Sequence, residues 1–79
     1  MKHLYKAQDN AMTYLIVRDM ARDEDDAAVV NWDVSEDEIA EAVKAFEADE
    51  NTTAFYADIP RWQPFDEIRE RMNRVEHIA

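Results

Sequence analysis

The chain contains no glycine and no cysteine. Without cysteine there is no disulfide and no thiolate metal ligand to staple the fold. Without glycine, the Gly-rich phosphate loops, the dinucleotide-binding fingerprint and the Gly-x-Ser-x-Gly nucleophile elbow are all excluded. Tight turns must instead use Asp or Asn, which tolerate a left-handed backbone better than other residues. Serine occurs once, at Ser35, and the two histidines, His3 and His77, lie near opposite ends with no metal-ligand spacing between them. No stretch approaches the roughly 18 apolar residues that span a bilayer. Met1-Lys2-His3-Leu4-Tyr5-Lys6 lacks the apolar run of a signal peptide, so a cytoplasmic location without membrane contact is expected. Asn51-Thr52-Thr53 fits a glycosylation acceptor, but with no secretion signal the match is read as chance.

Positive charge is also scarce, with 9 Lys and Arg against 19 Asp and Glu and a net charge of −10. The imbalance is local. Residues 19–50 hold thirteen carboxylates against Arg22 and Lys44 alone, which leaves −11 in that segment. The first eighteen residues carry +2 and residues 51–79 carry −1. A concentrated field of one sign favours basic partners and repels nucleic acid and anionic membranes.

The 79 residues are read as a single domain, 1–79, with one modest core. Apolar residues recur in every segment, which argues against disorder despite the charge. Residues 3–8 and 12–19 read as strands joined at Asp9-Asn10-Ala11, the second carrying the β-branched and aromatic run Thr13-Tyr14-Leu15-Ile16-Val17. Met12, Leu15, Ile16 and Met20 also fall at helical spacing, so a helix over 11–21 competes with the strand. Arg22 to Asp26 reads as a charged loop and Ala28 to Val34 as a strand that pairs antiparallel with 13–19. Residues 36–49 are the clearest helix: Ser35 and Glu38 form a capping box, and Ile39, Ala42, Val43 and Phe46 make a core-facing stripe. Thr52 to Ile59 reads as a strand, Pro60 and Pro64 bracket a constrained loop, and a last helix is expected from about residue 65 on the spacing of Phe65, Ile68, Met72, Val75 and Ala79. The expected order is β-β-β-α-β-α. That is an α+β fold in which a small antiparallel sheet of three or four strands carries two helices packed on one face.

Candidate chemistry is sparse. Asp23-Glu24-Asp25-Asp26 suggests a cation loop, but the calcium template would place Ala27 and Val29 at ligand positions. Nothing selects two of nineteen carboxylates for acid–base work, and no nucleophile accompanies them, so no enzyme, metal or cofactor is expected. The arginines of the last segment are nearly cancelled by its glutamates, so no basic stripe offers itself to nucleic acid directly. Trp62 is either a partner anchor or a lid folded over the sheet edge, and the lid is the commoner role of large aromatics in small domains. Trp32, placed in a strand, is read as core.

The acidic segment remains. Asp23, Glu24, Asp25, Asp26, Asp37, Glu41 and Glu47 are the candidate partner-binding residues, with Asp25 and Glu41 expected to be exposed. A duplex carries one negative charge per roughly 1.7 Å of axis, and proteins bind it through Lys and Arg. Clustered carboxylates can occupy such pockets. The competing readings are a solvating face or adaptation to high salt. Small size, strong acidity, absent cysteine and a compact α+β plan resemble phage-encoded inhibitors of bacterial defence, including anti-CRISPR proteins and anti-restriction DNA mimics. The resemblance covers the whole chain in composition and layout, and no motif carries it. It implies a non-enzymatic inhibitor that blocks the basic, nucleic-acid-binding surface of a host defence complex. Two rivals are an antitoxin or immunity-type partner of a basic toxin, and a structural assembly module using Trp62 and Phe65.

Overall fold

The computed structural model describes residues 2–22, 25–48 and 61–79. Strands β1 (Lys2–Gln8) and β2 (Thr13–Asp19) form an antiparallel hairpin, in register from Lys2 opposite Asp19 to Gln8 opposite Thr13. The turn closes without glycine because Asp9 does the folding. Its Oδ1 accepts the backbone N–H groups of Ala11 at 2.8 Å and Met12 at 2.9 Å, and its Oδ2 accepts the Tyr14 hydroxyl at 2.6 Å. This is an Asx-type turn with an added side-chain tie. The strand reading of 13–19 therefore holds over its helical competitor.

Strand β3 (Asp26–Trp32) pairs antiparallel with β2. Helix α1 (Glu36–Ala48) follows, with the expected capping box: Glu38 N–H donates to Ser35 Oγ at 3.2 Å, and Ser35 N–H donates to Glu38 Oε1 at 3.0 Å. The strand expected over Thr52–Ile59 lies outside the described residues. Strand β4 (Gln63–Pro64) is a two-residue edge piece against Asp26 and Ala27, helix α2 spans Phe65–Glu70, and strand β5 (Arg74–His77) pairs antiparallel with β1. Among the described residues the sheet has five strands in the order β4-β3-β2-β1-β5. The fold is α+β, with more strands than the three or four expected, and the described elements run β-β-β-α-β-α-β.

The last segment corrects the sequence reading. The helix stops at Glu70 and the chain returns as an edge strand. Arg71 and Met72 close the helix by bonding back to the Ile68 and Arg69 carbonyls, a tightened final turn. Asn73 then redirects the chain: its N–H donates to the Gln8 carbonyl at 2.7 Å and its amide to Asn10 Oδ1 at 2.6 Å. Met72 and Val75 still reach the same apolar cluster as Phe65 and Ile68. Their spacing looked helical because a turn and a strand deliver them to one place.

A second correction concerns the layers. Leu15 and Val17 pack with Leu4, Val34, Ile39 and Ala42 beneath α1, whereas Ile16 packs with Ala7, Ala27, Phe65 and Ile68 beneath α2. Side chains alternate along a strand, so these two sets lie on opposite faces of the sheet. The helices cover both faces, not one. Strand β2 is buried on both sides, which is why its apolar run is continuous. Full burial of each large core side chain contributes roughly 1.5–3 kcal/mol, and Leu4, Leu15, Ile16, Val17 and Ile68 are all sealed from solvent.

Candidate partner-binding surface

The five candidate carboxylates among the described residues fall in two places, Asp25 and Asp26 at the start of β3 and Asp37, Glu41 and Glu47 on α1. Asp23 and Glu24 lie outside the described residues. Asp25 is engaged: Arg18 Nε donates to its Oδ1 at 2.8 Å and Arg18 Nη2 to its Oδ2, while Arg18 Nη1 donates to the Tyr5 hydroxyl at 2.9 Å. The guanidinium carbon stands 4.1 Å from the Phe65 ring centroid. The hydrogen bonds from Arg18 hold the Asp25 carboxyl below the usual carboxylate range, and the pairing raises Arg18 in turn. Asp25 also sits at φ 56°, a left-handed position that Asp tolerates, and its carbonyl accepts the Phe65 N–H that starts α2. Asp25 is thus part-buried and structural, which corrects its expected exposure. Asp26 is paired with Arg22 at 3.8 Å, and Arg22 stacks over Trp62 at 4.4 Å.

Helix α1 presents the rest. It carries Glu36, Asp37, Glu38, Glu41 and Glu47 against Lys44, all of them exposed. Among the described residues, Asp37, Glu41 and Glu47 have no cationic partner. Asp37 and Glu41 are one turn apart and share a flank. Glu47 lies roughly 120° around the axis from Glu41 at 3.6 residues per turn. The sequence reading missed Glu38, which joins Asp37 and Glu41 on the rim of a groove between α1 and β3. The groove has a volume of about 580 Å³, with Leu15, Val30, Ala42 and Ala45 giving an apolar floor. The β3 backbone makes this possible. Leu15 pairs with Asn31 but Ile16 with Val29, so Val30 is the extra residue of a β-bulge.

The same bulge decides the tryptophans. It shifts Trp32 opposite Tyr14, off the face that Val30 shares with α1, and Trp32 is 63% exposed. Its expected place in the core is overturned. Trp62 packs against the cluster beneath α1, as the lid reading expected, and Phe65 is buried on the other face. Phe65 is thus buried within the chain, and Trp62 is half-buried.

Among the described residues no group of three or more His, Asp or Glu side chains converges on a metal position, and no helix is long and apolar enough to cross a membrane. No family model matches the chain, and neither curated proteins nor solved structures gave a match.

Proposed function

We propose that the protein is a non-enzymatic acidic inhibitor. Its α1 flank covers a cationic, nucleic-acid-binding surface of a partner protein, in the manner of phage-encoded anti-defence proteins of the anti-CRISPR or DNA-mimic kind. The observation that carries this reading is the division of labour among the acids. Asp25 and Asp26 are held by arginines of the chain itself, whereas Asp37 and Glu41 face solvent without a cation among the described residues. A helix of thirteen residues is about 20 Å long. Its five carboxylates are fewer than the charges of a duplex of that length, so apolar contact in the adjoining groove is needed to supplement the ionic term. Association is electrostatically steered and weakens as salt rises.

The test is capture from host lysate at low ionic strength, with the tagged protein and an Asp37→Lys, Glu41→Lys variant compared side by side. Both positions are exposed on a helix held by its cap and core stripe, so the fold persists. Wild type retains nucleic-acid-binding proteins that added duplex DNA or guide-like RNA releases, and the variant loses them. Equal retention by the variant, or retention that polynucleotide does not compete, overturns the reading. A toxin as the dominant retained protein moves the assignment to an immunity-type partner.

A further inference from the structure

We propose that His3 and His77 form a two-histidine chelate for a late first-row divalent ion of the zinc class, joining strand β1 to edge strand β5. The residues are 74 positions apart in sequence, yet His3 Nδ1 and His77 Nε2 stand 3.1 Å from each other. The register explains the meeting. Tyr5 pairs with His77 across β1 and β5, and His3 lies two residues from Tyr5 on the same face. The Tyr5 ring flanks His77 at 5.2 Å between centroids.

The geometry suits an ion. The imidazole centroids are 4.9 Å apart with planes at 72°. An ion about 2.0–2.1 Å from each nitrogen, at an N–metal–N angle of roughly 95–110°, needs nitrogens about 3.0–3.4 Å apart and centroids about 4.7–5.2 Å apart. A straight N–H···N hydrogen bond at the observed nitrogen distance places the centroids farther apart, at about 5.4 Å. The two ring-to-nitrogen directions are therefore not in line, which a shared ion requires and a straight hydrogen bond does not. Imidazole nitrogens select zinc, nickel and copper over magnesium and calcium, and water completes the coordination.

Arg18 lies close enough to act electrostatically on His3. The positive charge of Arg18 is itself balanced by Asp25. A bound ion ties the two ends of the described chain together, which stabilises the fold as any link closing a long loop does.

The experiment is titration of the full chain with zinc chloride in excess magnesium, followed by calorimetry and by NMR of the histidine ring nitrogens. One zinc per chain is expected, with shifts at both rings and a raised melting temperature. His3→Gln and His77→Gln each weaken binding at least tenfold, and magnesium does not compete. Zinc binding that both variants retain belongs to the carboxylates and overturns the proposal. Unmoved ring nitrogens in the wild-type protein overturn it without reference to any variant.

Discussion

Arg18 grips Asp25 through two guanidinium nitrogens while its third donates to Tyr5, so one cation on β2 fixes both the loop that leads into β3 and a side chain of β1. The pair lies seven residues apart and turns an acidic loop residue into an internal brace.

Acid should weaken this brace first. The folded Asp25 carboxyl titrates below its unfolded value of about 3.9. Between those two values the unfolded chain binds more protons, so stability rises with pH there. The contribution is complete above the unfolded value and is lost as pH falls through the folded one. Asp25→Asn keeps a residue that accepts φ 56° and removes only the charge. It should cost on the order of 1 kcal/mol near neutrality, the upper end for a partly exposed pair. It should also flatten the loss of urea stability on acidification. An unchanged acid profile in that variant would show that the brace contributes nothing.

The reciprocal cap of α1 gives a second expectation. Ser35→Ala removes the hydroxyl that receives the Glu38 N–H and should cost about 1 kcal/mol in thermal unfolding. Glu38→Ala removes the return bond to the Ser35 N–H. The two losses should not add, because each residue supports the other. Additive losses in a double-mutant cycle would mean that the box does not act as a unit.

How far these features were legible in the sequence follows from their range. The hairpin and α1 were readable because their signals are local: a β-branched run, Asp9 at the turn, and Ser35 three residues before Glu38. The last helix was misread because Met72 and Val75 reach one cluster by two different backbone routes. Trp32 was misplaced because a bulge at Val30 breaks the alternation that would have buried it, and no residue type marks a bulge. The charge run pointed to α1, whose acids stand exposed. It could not show that Asp25 and Asp26 are neutralised from β2 and the following turn, since partner choice depends on tertiary register.

The tryptophans should separate experimentally. Trp32→Ser removes an exposed ring and should leave the unfolding midpoint nearly unchanged, as surface substitutions usually do. Trp62→Ala removes packing against the α1 core together with the surface over which Arg22 stacks. It should cost about 2 kcal/mol, less than a fully buried aromatic. Acrylamide should quench the fluorescence of a Trp62→Phe protein, which retains Trp32, more strongly than that of a Trp32→Phe protein. Equal quenching would contradict the exposure difference.

The hairpin turn offers the sharpest spectroscopic check. Tyr14 donates its hydroxyl to Asp9 Oδ2 at 2.6 Å, and this bond raises the Tyr14 phenol while it lowers the Asp9 carboxyl. Phenol ionisation breaks the bond and sets two negative charges side by side, so the folded chain resists it. The sign follows: this contribution is full below the unfolded tyrosine value of about 10 and is lost as pH rises through the folded one. Alkaline absorbance titration should therefore show one tyrosine ionising later than a free phenol. Asp9→Asn can still accept hydrogen bonds at the turn but carries no charge, so it should bring that tyrosine back toward its ordinary value. Tyr14→Phe should remove the late step altogether while keeping the Ala11 and Met12 bonds to Asp9 Oδ1. A late-titrating tyrosine that survives in Tyr14→Phe would place the perturbed phenol elsewhere and refute the assigned turn geometry.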